Sequence, residues 1–155
     1  MSDTDLAPIR EAVRALCAGF PGEYWRKVDR ERAYPTEFVQ ALTGAGFLAA
    51  LIPEEHGGSG LTMTAASAIM EEIHASGSNG AACHAQMYTM GTVLRHGNAE
   101  QKQKYLPKLA TGEWIGCFGL TEPNHGSDPA SMITRARKVQ GGYALTGNKM
   151  WISNS

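Results

Sequence analysis

The run Gly116-Cys117-Phe118-Gly119-Leu120-Thr121-Glu122-Pro123-Asn124-His125-Gly126-Ser127-Asp128 carries the side chains best suited to holding a ligand. Residues 114–120 are apolar or small and read as a buried strand, and Pro123, Asn124 and Gly126 then impose a tight turn. A turn of this kind directs the hydroxyls of Thr121 and Ser127, with several backbone N–H groups, toward one point. Such an array holds an anionic or hydrogen-bonding ligand without a charged side chain. Gly- and Ser-rich loops are also common as plain connections. The spacing alone leaves both readings open, a binding loop or an ordinary strand–loop.

Other chemistries find less support. His56, His74, His84, His96 and His125 show no i, i+3 or i, i+4 pairing with one another or with a nearby cysteine, so no metal site is expected. The nucleophile elbow Gly-x-Ser-x-Gly of serine hydrolases is absent. Gly57-Gly58-Ser59-Gly60 suggests a phosphate loop, but no Lys-Ser or Lys-Thr follows, and a strand–Gly-x-Gly-x-x-Gly–helix context is missing. It reads as a turn in which backbone packs closely.

The totals narrow the class further. A chain of 155 residues with a formal charge of −1 has no general pull toward nucleic acid or acidic membranes, and its charges are mixed in sign. No nucleic-acid partner and no membrane insertion are expected, since no apolar run reaches the length of a membrane span. Cys17, Cys83 and Cys117 are odd in number and far apart, which fits a reducing, cytoplasmic setting rather than a disulfide framework. The acidic start, Met1 to Asp5, lacks the layout of a signal peptide.

The elements that must carry the loop are helical first. Leu6, Ile9, Val13, Leu16, Cys17 and Phe20 repeat at three and four, predicting a helix over 6–20 that ends at Pro21-Gly22. Shorter helices are predicted over 24–32 and in a third segment that Tyr34-Pro35-Thr36 opens and Gly44 stops. Thr62 or Thr64 caps a fourth, running to about Ser76. A fifth, over 79–95, is rich in small and soft residues, with Gly80, His84, Tyr88 and Gly91 on one stripe. Asn98 and Gln101 form a capping-box pattern for a sixth, which Thr111-Gly112 terminates. Strands are then expected over 114–120, 133–139 and 143–146, with a two-residue hairpin turn in Gln140-Gly141-Gly142-Tyr143 and a further strand from Lys149 to Ser153. Few strands with an open edge do not make a stable sheet alone. The expectation is therefore an α+β chain of two domains: an all-helical domain over 1–113, and over 114–155 the beginning of a β-domain in a longer polypeptide.

Three stretches resemble motifs of the acyl-CoA dehydrogenase family. Leu120-Thr121-Glu122-Pro123 followed by Gly126-Ser127-Asp128 is similar to its flavin-binding signature. Gly147-Asn148-Lys149-Met150-Trp151-Ile152-Ser153-Asn154 is similar to its second flavin segment, and Ile52-Pro53-Glu54-Glu55-His56-Gly57-Gly58-Ser59-Gly60 to a third motif. The order and separations match from about Pro35 onward, with wording closest to glutaryl-CoA dehydrogenases. The resemblance implies a helical N-terminal domain, a barrel-like middle β-domain, and a C-terminal helical bundle not found in these residues. It also implies FAD, contacted by Phe118, Leu120, Thr121, Gly126, Ser127, Trp151, Ile152 and Ser153. Trp151 would wall the ring, Thr121 and Ser153 would meet its polar edge, and Ser127 would meet the pyrophosphate. Ser153 stands where many members carry Thr.

The implied reaction is α,β-dehydrogenation of an acyl-CoA thioester, a carboxylate taking the α-proton while the β-hydrogen leaves as hydride to flavin N5. Ser127, Gly80, His84 and Tyr88 are the expected substrate contacts, the last three from the helix that lines the family's acyl pocket. The family's catalytic Glu lies in the C-terminal bundle. None of Glu54, Glu55, Glu71, Glu72 and Glu122 matches it, so no catalytic base is assigned here and these residues alone are expected to be inactive. Asn79 stands where glutaryl-CoA dehydrogenases place an Arg for the distal carboxylate. A neutral amide lacks that charge-assisted pairing, so a plain or modestly branched acyl group is expected. The resemblance further implies electron-transfer flavoprotein as electron acceptor and a homo-oligomer, dimer or tetramer. The alternatives are a non-catalytic homologue or helical interaction module of the same fold, and an acyl-CoA oxidase or flavin monooxygenase relative.

Overall fold

The stripe from Leu6 to Cys17 coils as α1 (Ala7–Ala18), burying Ile9, Val13 and Cys17, with Pro8 in the first turn where its missing N–H costs nothing. α2 (Gly22–Glu31) and α3 (Thr36–Gly44) follow. These elements belong to a computed structural model that describes residues 6–152 and divides into two compact units between Gly116 and Cys117. The first unit continues with α4 (Met63–Ala75), α5 (Ala81–His96) and α6 (Ala99–Ala110).

The caps follow the side chains. Thr62 accepts the Ala65 N–H at 3.2 Å to start α4. Asn98 and Gln101 form a full reciprocal capping box on α6. α5 begins at Ala81 rather than Asn79, because the Asn79 carboxamide accepts the Ala81 N–H at 2.9 Å and holds the preceding residues in a turn.

The core of this unit joins Val13 and Cys17 of α1, Phe38 and Leu42 of α3, Ile69 and Ile73 of α4, and Cys83 and Met87 of α5. Phe38 meets Phe20 and Trp25 edge-on, at ring separations of 5.1 and 4.9 Å. A smaller cluster gathers Ile52, Met90, Leu106 and Leu109. Polar groups also tie α1 to α4. The buried Glu72 accepts from Arg14 Nε and Arg10 Nη1 at 2.6 and 2.7 Å, and these bonds, that of Arg14 foremost, lower its pKa.

The Gly57–Gly60 segment is a packing turn. A Cβ on Gly58 would lie 2.0 Å from the Ile52 carbonyl oxygen, so only glycine fits there.

The second unit contains one antiparallel hairpin, β1 (Arg135–Val139) and β2 (Gly142–Thr146), pairing Arg135 with Thr146 and Val139 with Gly142. The two-residue turn expected within Gln140-Gly141-Gly142-Tyr143 falls on Gln140 and Gly141, Gly142 already pairing with Val139. Two expected strands are corrected. Residues 114–120 form no regular strand and are not buried as a run, Ile115 and Phe118 being exposed. Within 114–116, the Trp114 carbonyl and the Gly116 N–H bond to the side chain of Gln86, which takes the place of a ladder neighbour. Nor do residues 149–152 form a strand, because Trp151 adopts φ +55°, a left-handed turn that ends extended backbone.

Candidate flavin-loop and acyl-groove sites

In the second unit, Glu122 and His125 exchange backbone hydrogen bonds of 2.9 and 3.2 Å, closing the turn over Pro123-Asn124. The Thr121 carbonyl accepts the Met150 N–H at 2.8 Å, which lays the peptide of Thr121 beside the segment carrying Trp151. Gly126 sits against Thr121, since a Cβ there would lie 3.9 Å from Thr121 Cγ2. A Cβ on Gly119 would lie 3.6 Å from Lys149 Cγ and 3.8 Å from Ile152 Cδ1, so residues 119–121 and 149–152 run side by side.

Beneath them lies Glu122, 2% exposed. Its carboxylate accepts the N–H groups of Ile133 and Thr134 at 2.8 and 2.9 Å and Lys149 Nζ at 2.9 Å. The Thr134 hydroxyl, the Ile133 amide, the Lys149 ammonium and the Thr134 amide outweigh the effect of burial, and hold the Glu122 pKa at about 2 against an ordinary 4.5. The hydroxyl pulls from a position short of a well-formed hydrogen bond. The amides and the ammonium are the firmer contacts.

A depressed carboxyl pKa stabilises the fold fully above 4.5, and that stability is lost as pH falls through about 2. Amide exchange at Ile133 and Thr134 is therefore expected to accelerate between those pH values, beyond the intrinsic pH trend. In Glu122→Gln that acid step should be missing. An acid step of equal size in both proteins would reject the assignment.

The flavin positions expected from sequence divide by exposure. Leu120 and Thr121 are half-buried, whereas Phe118, Gly126, Ser127 and Ile152 are exposed. Trp151 is 82% exposed. Ser153 lies outside the described residues. Around Thr121 the structure thus gathers Leu120, Gly126 and Ile152 beside the backbone of Trp151, with Ser127 following Gly126 on the exposed rim of the loop. The chemistry available is an apolar and aromatic surface edged by hydroxyls and backbone amides, which suits a planar heteroaromatic ring with a polar edge.

In the first unit, α4 and α5 border a groove of about 690 Å³ lined by Met63, Ala66 and Met70 on one side and Met87, Tyr88 and Gly91 on the other, with His74 and His84. His84 and Tyr88 meet edge-on at 5.3 Å. Gly80 lies under its end: a Cβ there would come within 2.9 Å of Met70 Cε and 3.0 Å of His74 Nε2. Asn79 opens instead onto a second cavity, of about 570 Å³, which also contains Asp29 and Arg32. None of the five glutamates considered as bases lines the groove. Glu72 and Glu122 are committed to their cations, and Glu71 pairs with Arg10 at 2.6 Å. Among the described residues no group of three His, Cys, Asp or Glu side chains converges on a metal position. No helix among them is long and apolar enough to cross a membrane.

Two positioning side chains escaped the sequence reading. Gln86, 1% exposed on the inner face of α5, donates to the carbonyls of Leu109 and Trp114 at 3.1 and 3.0 Å and accepts the Gly116 N–H at 2.6 Å. Its signal is a lone carboxamide among Ala85, Met87 and Met90, a polar side chain where the helix face is otherwise apolar. Lys149 is the other. Only its partner Glu122, in a motif upstream, pointed to an interior cation.

Residues 3–113 match the family model "Acyl-CoA dehydrogenase, N-terminal domain", and residues 117–155 match "Acyl-CoA dehydrogenase, middle domain". The chain is 43% identical over 132 residues to the mitochondrial isovaleryl-CoA dehydrogenase of Solanum tuberosum, covering 83% of this chain and 32% of that protein. It is 39% identical over 132 residues to the mitochondrial short-chain specific acyl-CoA dehydrogenase of Mus musculus, again 83% of this chain and 32% of that one. Among solved structures, a glutaryl-CoA dehydrogenase of Mycobacterium smegmatis in complex with FADH2 superposes with a TM-score of 0.87 at 32% identity, covering 96% of this chain and 39% of that one. The chain thus spans about a third of the length of the curated relatives it matches.

Proposed function

Because this chain belongs to the acyl-CoA dehydrogenase family, we propose that it forms part of an FAD-dependent enzyme that removes the α- and β-hydrogens of an acyl-CoA thioester. FAD, when bound, supplies the acceptor for the electron pair that leaves with the β-hydrogen. The residues present fit such a group. Phe118, Trp151 and Ile152 offer exposed apolar surface beside the half-buried Thr121, with Ser127 at the exposed rim. In this reading Trp151 walls the ring, the hydroxyls of Thr121 and Ser153 meet its polar edge, and Ser127 binds the pyrophosphate. Leu120 and Gly126 complete the contact surface. The observation that carries the reading is the Thr121–Met150 hydrogen bond, which ties the two motif segments together.

His84 and Tyr88, with Ser127, are the proposed acyl contacts, and Gly80 lets Met70 and His74 close over the end of the groove. The groove is lined mainly by apolar side chains, with Arg95 also on its wall, and Asn79, on the second cavity, is a neutral amide that offers a distal carboxylate no charge-assisted pairing. A plain or branched acyl group is the proposed substrate. Glu72 and Glu122 are tied to arginine and lysine, which leaves the α-proton to a carboxylate elsewhere in the enzyme. The domains are proposed as 1–113 and 114–155. Electron-transfer flavoprotein is the proposed acceptor, in a homo-oligomer of two or four copies. Free cysteines at 17, 83 and 117 support a reducing, cytoplasmic setting.

The test is a titration of the chain with FAD, followed by flavin fluorescence. Binding is expected, and Trp151→Ala should weaken it roughly tenfold through loss of aromatic stacking, about 0.5–1.5 kcal/mol beyond area burial. Trp151 is so exposed that its removal should leave the fold intact. A wild-type chain that takes up no FAD would sink the proposal.

A further inference from the structure

We infer that Glu122 and Lys149 are positioning residues whose ion pair preforms the flavin edge, holding the peptide of Thr121 against the Met150–Trp151 segment before any ligand arrives. The inference rests on the flavin reading above. A lysine ammonium has three donors, and Lys149 spends them on the Leu120 carbonyl at 2.9 Å, Glu122 Oε1 at 2.9 Å and Met132 Sδ at 3.2 Å. Glu122 in turn accepts the Ile133 and Thr134 amides. Three segments, 120–122, 132–134 and 149, therefore converge on one charge pair.

A buried pair gains little over apolar packing unless every donor and lone pair is satisfied, and its attested use is to select one geometry. Here the geometry selected is the one flavin binding would need. The Glu122 side chain is 1% exposed, so solvent does not compete for it, while Lys149 at 23% still presents its stem along Gly119. Residues 120–126 and 147–152 are otherwise irregular backbone. Ordering such loops at the moment of binding costs affinity, and a tie made beforehand removes that cost.

The experiment compares wild type, Lys149→Met, Lys149→Arg and Glu122→Gln in the same chain, with two readouts. The first is hydrogen exchange at the Met150 amide without ligand. The second is the affinity for FAD by fluorescence titration. In Lys149→Met, Met150 exchange is expected to rise and FAD affinity to fall, each roughly tenfold, with thermal unfolding of the helical unit unchanged. Saturating FAD should restore Met150 protection. Glu122→Gln should show a smaller effect in the same direction, and Lys149→Arg should recover most of both readouts by keeping the charge pair.

Unchanged Met150 exchange and unchanged FAD affinity in Lys149→Met would overturn the inference. So would a loss of protection across the whole second unit in Lys149→Arg as well as Lys149→Met, because that marks a general folding role. If wild type takes up no FAD, the flavin reading fails. The Met150 readout then still reports whether the pair preforms this loop.

Discussion

Phe38→Ala is expected to cost about 3–5 kcal/mol of folding free energy, the range for removing a buried aromatic side chain and leaving its cavity. Phe38, on α3, is 1% exposed, its ring held edge-on by Phe20, which follows α1, and by Trp25 of α2. Those two partners are themselves packed on Tyr24, at 5.0 and 5.1 Å. The site therefore cannot collapse around a smaller residue without moving three aromatic rings. Domain stabilities lie at about 5–15 kcal/mol, so the loss is a large share of the whole. Urea denaturation followed by helical circular dichroism measures it. A loss below about 1 kcal/mol would mean that the cluster repacks freely, contrary to close packing.

Gln86→Leu is the second large effect. Leucine keeps much of the volume of the side chain and removes both donors and the acceptor. The carbonyls of Leu109 and Trp114 lose a buried partner, and the Gly116 N–H loses the acceptor at 2.6 Å. Loss of a buried hydrogen-bond partner costs up to about 1–3 kcal/mol, moderated here because the Leu109 carbonyl keeps the Gly112 N–H at 3.2 Å. The expected signature is local as well as global. The amide of Gly116 should exchange faster in Gln86→Leu, while the capping box of α6 stays protected. Gln86→Glu keeps the acceptor for the Gly116 N–H but sets a buried carboxylate against the Leu109 and Trp114 carbonyls, so it should protect Gly116 better than Gln86→Leu while costing at least as much global stability. Equal protection at Gly116 in all three proteins would show that the carboxamide does not hold this segment.

Much of this molecule was legible from local rules. The stripe of α1, the Thr62 cap, the Asn98 capping box and the Gln140-Gly141 turn each depend on residues within a few positions of one another, and short-range sterics and hydrogen bonding decide them. The packing turn at Gly58 was legible for a related reason, since clustered glycine signals backbone approach. The motif segments around Thr121 and Trp151 were visible as residue types at fixed spacing.

Tertiary structure decided what local rules do not reach. An apolar run such as 114–120 becomes a strand only if a neighbour supplies a ladder, and here a side chain from α5 satisfies the backbone groups of Trp114 and Gly116. Whether Glu122 is a solvated carboxylate or the centre of a buried ion pair depends on Lys149, 27 positions away. The same holds for Glu72, whose arginine partners lie 58 and 62 positions upstream. Charge pairs and carboxamide clamps have no sequence period, because their energy comes from groups that meet only after the chain has folded.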